Sequence, residues 1–230
     1  MLEPLFLFLS DFLMFTPENY VRLLTHYNQA VWPLPLLTLL LGAVNLMLIK
    51  SRYRHRHRLV NLSLACHWLW VGLVFHCHYF SAINWAAPAF ALLFTVQAAL
   101  LVFFGVFKHN IRYQAQFTAI GYSGLLLYLF ALLLYPALTA YLHQGWESAD
   151  YYGVGADATC LATLGLLLMT AGRSRYYLIL PLLWCLLSAA MAWMMAFKQS
   201  LLLVCIPFVL ALLKAFPAVV YRAKNSPQRR

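Results

Sequence analysis

Three histidines, one glutamine and a few hydroxyl groups stand inside long apolar runs of this chain. A polar group in hydrocarbon is expensive, so those positions are where chemistry is to be sought. His67 lies eight residues beyond Leu59, about 12 Å along a helix. It shares a helical stripe with Ser63, Cys66, Trp70, Cys77 and His78. Gln97 falls near the middle of the next apolar run, and Tyr128 and Ser188 lie at similar depth in two later ones. Trp184 sits one turn before Ser188. Imidazole titrates near neutral pH, so these side chains together would make a polar pocket able to bind a small solute or pass a proton. The candidate solute-binding residues are therefore His67, Trp70, Gln97, Tyr128, Trp184 and Ser188. A structural reading competes, because interhelical hydrogen bonds and small-residue faces hold apolar bundles together without any ligand.

Other chemistries have weaker support. His76-Cys77-His78 carries ligands that suit copper or zinc. On a regular helix, however, residues two apart point about 200° from each other, so the helix would have to unwind there. Cys77 with Asp157, Cys160 or His143 is the other way to complete such a site. The histidines inside apolar runs all belong to one run, which disfavours a bis-histidine haem between two helices. No cofactor class is singled out. The five cysteines contain no CxxC, and one Cys77–Cys160 bridge is left open. Gly121-Tyr122-Ser123-Gly124 matches the GxSG of rhomboid proteases, but no histidine follows His143 to serve as the base of that serine. GxxxxGK[ST] and HExxH do not occur, and no carboxylate lies deep in an apolar run, Asp157 being at the edge of the fifth. ATP hydrolysis, zinc proteolysis and carboxylate-based ion coupling thus lack their parts, and an enzyme is not the leading reading.

The elements that must position these residues are long and apolar. Of 230 residues, 64% are apolar and only 10% charged, against about 25% charged in a soluble domain. Mean hydropathy is +0.75. A soluble fold, a disordered chain and a disulfide scaffold are excluded on that basis. Seven stretches approach the roughly 20 apolar residues that a membrane crossing needs: 31–49, 59–80, 86–107, 117–138, 154–170, 176–197 and 201–220. The run from Leu125 to Leu134 is nearly continuous and not alternating, so helices are expected in place of a barrel. The expected fold is an all-α polytopic membrane bundle of about seven transmembrane helices. Its domain covers residues 31–220, after a first segment of residues 1–30 and before a basic tail of 221–230.

The first segment has no basic n-region and no cleavage site, so it does not read as a signal peptide. Thr16-Pro17-Glu18 is a helix start, and Tyr20, Leu24, Tyr27 and Val31 follow at helical spacing with Glu18, Arg22 and Gln29 on the other face. This predicts an amphipathic helix lying along the interface or packed over the mouth of the bundle.

Charge sets the expected orientation. With seven spans, thirteen of the sixteen basic residues share one side: five in Lys50–Arg58, then Lys108, Arg112, Arg173, Arg175 and four in the tail. All six acids lie at or beyond the opposite face. The excess of Lys and Arg marks the cytoplasmic side, so the N-terminus is expected outside and the C-terminus inside. The net charge of +10 then needs no nucleic-acid partner. Its expected partners are anionic lipid headgroups at the cytoplasmic face of the bilayer. Oligomeric state is not legible.

Several ordered segments also carry a resemblance. They are Tyr27-Asn28-Gln29-Ala30-Val31-Trp32-Pro33, His67-Trp68-Leu69-Trp70, Ile83-Asn84-Trp85-Ala86-Ala87 with Gln97, Leu127-Tyr128, Tyr135-Pro136, His143, Tyr152-Gly153-Val154, Thr163-Leu164-Gly165 and Pro181-Leu182-Leu183-Trp184. Over roughly residues 16–212 the chain resembles a family of bacterial multi-span membrane proteins classed only as a domain of unknown function. That family often has a Cys-Pro pair opening the fifth span, where this chain has Asp157-Ala158-Thr159-Cys160. The resemblance implies a bacterial inner-membrane protein and transfers no activity. The leading expectation is binding or translocation of a small solute through a polar intramembrane pocket. The alternatives are a membrane scaffold or accessory subunit, and an enzyme using His67 with Tyr128 on a lipid or quinone.

Overall fold

The computed structural model describes residues 15–114, 119–170 and 175–195. The stretch 201–220, the tail, Lys198, Lys214 and the residues before Phe15 lie outside them. Helix α1 (Pro17–Ala30) opens at Thr16, whose hydroxyl oxygen accepts the Asn19 amide at 3.3 Å. Pro17, at the first helical position, has no N–H to lose. Leu24, Tyr27 and Asn28 form its buried face. The chain turns through Trp32-Pro33, joined by a cis peptide, and α2 (Leu34–Lys50) leaves at 80° to α1.

Helix α3 (Arg56–Ala82) is α-helical to Trp70, widens to a π-helix over Val71–Tyr79 and closes in one 3-10 turn. Helix α4 (Ala87–Phe107) ends in a π-helical segment over Leu101–Phe107. Helix α5 (Ala119–Leu142) carries another over Phe130–Leu134. Pro136 follows at once, and its missing amide cannot sustain the regular ladder across that turn. Helices α6 (Ala156–Leu168) and α7 (Arg175–Met194) complete the described set.

The architecture is all-α among the described residues. Among the described residues, four helices (α3, α4, α5 and α7 from Tyr176) are long and apolar enough to cross a membrane, and up to five segments are if the bent pair α1–α2 counts as one. Of the seven stretches expected, 201–220 lies outside the described residues, and α6 falls short for a visible reason. It has only 13 residues, about 20 Å. Its start is held back to Ala156, and at its far end Met169 and Thr170 leave the helix. There the Met169 carbonyl accepts the Gln114 amide at 2.9 Å, and Thr170 pairs with Tyr113 as an isolated antiparallel bridge.

Helix α6 is the centre of the molecule. Every residue from Ala158 to Leu168 is buried, as a helix apolar all round requires. It packs against α5, α7 and α3, while α3 also packs against α2 and α4. The α5–α6 contact depends on two glycines. A Cβ on Gly124 would stand 2.7 Å from the Gly165 carbonyl oxygen, and one on Gly165 would stand 2.7 Å from the Tyr128 amide nitrogen. Gly121 and Gly124 are buried while Ser123 is half-exposed and donates to the Ile120 carbonyl. The GxSG sequence is thus a packing surface with its serine turned away.

Two basic loops meet at one end of the bundle. Arg58 donates through Nε to His109 Nδ1 at 3.1 Å, and the Tyr113 amide donates to His57 Nδ1 at 3.2 Å. At the other end α1 covers the connection between α5 and α6. Asn28 donates to the carbonyls of Glu147 and Ala149, both at 2.8 Å, and Tyr27 Oη donates to the Val154 carbonyl at 3.1 Å.

Candidate functional site

Asp157 stands in the first turn of α6, where its half-buried carboxylate receives three donors from two neighbouring helices. Trp184 Nε1 of α7 donates to Oδ1 at 2.8 Å. Ser188 Oγ of α7 and Tyr135 Oη of α5 donate to Oδ2 at 2.8 and 3.2 Å. Trp184 and Ser188 reach the same carboxylate because they are four residues apart on one helix face. Hydrogen bonds to a carboxylate are stronger than neutral ones, so the three donors both hold the group and tie α5, α6 and α7 together.

A second carboxylate lies behind the first. Asp150, 5% exposed, accepts the amides of Asp157 and Ala158, both at 3.2 Å. It therefore caps the α6 N-terminus from outside the helix, satisfying amides that have no partner of their own. Gly155 at the cap position makes this feasible, since a Cβ there would collide with the Asp150 carboxylate. Burial pushes the Asp150 pKa well up, and the adjacent Asp157 adds to the shift. Burial pushes the nearby His143 imidazole down, opposed in part by the Ser148 carbonyl.

These groups line a cavity of about 40 Å³ with Tyr20, His76 and Thr139. That volume holds a few waters at most. Among the described residues, no Lys or Arg lines it. His76 faces it from the π-helical segment of α3, is fully buried, and has no hydrogen-bond partner on either ring nitrogen. Its ring sits among aromatics, with centroids 4.7 Å from Phe94, 5.0 Å from Trp184 and 5.1 Å from Phe75. A buried imidazole with neither nitrogen satisfied is costly, and a bound proton donor or acceptor would offset that cost.

The six sequence candidates do not gather into one pocket. Trp184 and Ser188 meet at Asp157. His67 is 4% exposed and faces inward, but its ring nitrogens also lack partners, so Gln97, Tyr128 and Ser188 do not reach it. Its ring stands edge-on to Tyr152 at 4.8 Å. Beside it, Trp70 Nε1 donates to Tyr27 Oη at 3.0 Å, and His67 and Trp70 line an open groove between α2 and α3. Gln97 donates to the Tyr177 carbonyl at 3.2 Å, and Tyr128 to the Gly42 carbonyl at 3.0 Å. Tyr128 and His67 therefore share no hydrogen bond that would make them an acid–base pair.

The metal candidates also separate. His76 is buried while Cys77 and His78 are exposed, even in the wider π-helical turn. Among the described residues no three His, Cys, Asp or Glu side chains come together as a ligand set. Cys160 lies 3.8 Å from Cys185, sulfur to sulfur, and donates to the Pro181 carbonyl, while Cys77 is exposed. A Cys77–Cys160 bridge does not form.

From the sequence, Asp157 and His76 are candidates only for a metal site. The available signal was the pairing of Trp184 and Ser188 one turn apart at the depth of a lone acid. A family model described as a family of unknown function (DUF6064) matches residues 17–224. No curated protein and no solved structure matches the chain.

Proposed function

The chain belongs to the DUF6064 family, whose model covers residues 17–224, and on that premise, which carries no activity with it, we propose a multi-pass membrane protein that takes up a proton or other small cation at Asp157. The observation that carries this reading is the acid-lined cavity, where two carboxylates and an unpartnered imidazole meet with no Lys or Arg among the described lining residues. Such a field favours positive charge. The cavity is too small for an organic solute, which narrows the small-solute reading to protons, hydronium or a bare cation. A carboxylate and a histidine facing one buried cavity are parts that a proton relay uses.

The proposed topology has seven crossings, a bacterial inner membrane as its site, the N-terminus outside and the C-terminus in the cytoplasm. Its support is the separation of charge. His57 and Arg58 lie at the basic end of α3 and His76 at the cavity, 19 residues from His57. At the helical rise this is roughly 25–30 Å, close to the thickness of a hydrocarbon core.

The test is proton flux in proteoliposomes holding a pH-reporting dye under an imposed potential. The wild type should acidify the lumen, and Asp157→Asn and His76→Gln should each reduce the rate at least tenfold. Equal rates in wild type and both variants would remove the proposal. The scaffold reading has one observation behind it, namely that the Asp157 network joins three helices. It predicts loss of stability in Asp157→Asn and no flux in any form.

A further inference from the structure

The elbow between α1 and α2 opens a groove of about 670 Å³, within the roughly 300–1,000 Å³ range of ligand sites. Its two halves differ in chemistry. At the α1 end stand Glu147, Trp32, Trp146 and Tyr151. Along α2 and α5 the walls are Leu36, Leu39, Leu132 and Leu133. Trp32 and Trp146 are each 62% exposed, and Leu36 and Leu133 are 50% and 58% exposed. Gln29 Nε2 donates to Glu147 Oε2 at 2.7 Å, which holds the carboxylate at the groove's polar end. Glu147 is the one charged residue among the described lining residues. Arg22, on the same helix as Gln29, lies two turns away and does not reach the groove.

From this juxtaposition we propose that the groove binds a phospholipid whose headgroup carries an ammonium group, with an acyl chain along the leucine wall. The argument is complementarity. A carboxylate beside two exposed indole rings and the half-buried phenol of Tyr151 attracts an ammonium group by charge and by the negative faces of the rings. With no Lys or Arg in the lining, an anionic headgroup without an amine finds no counter-charge. Exposed tryptophans suit the headgroup region, and with α2 turned 80° from α1 the leucine wall along α2 would face the acyl chains of a bilayer. The inference rests on membrane insertion and is independent of the Asp157 reading.

The experiment uses the full chain purified in detergent, with thermal unfolding as readout. Added lipids share their acyl chains and differ in headgroup: ethanolamine or glycerol. Ethanolamine lipid should raise the melting midpoint by roughly 5 °C, and glycerol lipid should raise it by less than half as much. Glu147→Gln and Trp32→Ala should each bring the ethanolamine response down to the glycerol level. Glu147 and Trp32 are exposed, so both variants fold. Free ethanolamine should have no effect, and an equal effect would show that the site takes a soluble amine and overturn the lipid assignment. Equal responses to the two lipids, no response to either, or a full response in Glu147→Gln would overturn the proposal. None of these outcomes bears on proton flux.

Discussion

Asp157 concentrates more hydrogen bonding than any other side chain described above, and what it does should show in single substitutions. Asp157→Asn keeps the shape but replaces one acceptor oxygen with a donor that faces the donors of Trp184 or of Ser188 and Tyr135. An unsatisfied buried donor costs about 1–3 kcal/mol, so the variant should melt several degrees lower in detergent. Ser188→Ala removes one donor and leaves two, and should cost about 1 kcal/mol or less. An Asp157→Asn midpoint equal to wild type would show that the network does not hold α5, α6 and α7 together. Asp150 gives a pH signature. Its folded pKa is raised, so the folded chain holds that proton more tightly than the unfolded one. Its contribution to stability is complete below about pH 4, the unfolded value. It is lost as pH rises through the raised folded value. The stability difference between wild type and Asp150→Asn should therefore be most favourable to wild type at acid pH and decline on going to neutral. Asp157, which adds to the Asp150 shift, and His143 face the same cavity, so the difference reports Asp150 together with its interaction with them. A difference that grows with pH would reverse the assignment.

At the scale of elements, the close crossing of α5 and α6 is the feature most exposed to test. Gly124→Ala and Gly165→Ala each place a methyl group within 2.7 Å of opposing backbone. Backbone cannot rotate away as a side chain can, so overpacking should cost about 1–3 kcal/mol for each. Gly145→Ala is the control, since its Cβ would meet nothing nearer than Ser148 Oγ at 3.8 Å, and its midpoint should be within a degree or two of wild type. If all three behave alike, the glycines are not what sets the helix spacing. The π-helical segments matter for a different reason. Each wider turn rotates every later side chain relative to a regular helix. In α3 this happens between Trp70 and Tyr79, which is where His76 turns inward and Cys77 and His78 turn out.

The whole molecule carries the topological prediction. Arg54 belongs to the basic end, and Glu147, exposed on the connection covered by α1, belongs to the other. In a chain with Cys66 and Cys77 replaced by serine, a membrane-impermeant thiol reagent added to intact cells should label Glu147→Cys and not Arg54→Cys. Labelling at position 54 would invert or break the seven-span arrangement. Asp150, the acid nearest in sequence, is unsuitable as a reporter because it is buried as the α6 cap.

Sequence alone determined what depends on neighbours along the chain. Runs of apolar residues imply helices because a backbone without water must bond to itself, and the all-α architecture follows. Thr16-Pro17 marked the start of α1 because a cap and a first-position proline act within one turn. That the loops around Arg58 and His109 belong together was legible because charge bias is additive and needs no geometry, and these two loops do meet. Only the tertiary structure decided which polar residues meet. Depth along a helix follows from counting, and it placed His67, Gln97, Tyr128 and Ser188 at comparable levels. Meeting also requires rotation about the helix axis, and π-helical turns, the Trp32-Pro33 elbow and the glycine crossing each change it. Asp157 was legible as an acid at a helix edge, but its donors come from residues 22, 27 and 31 positions away. Asp150 caps a helix that it does not belong to. Contacts of that kind arise from packing between elements, and no periodicity in the chain encodes them.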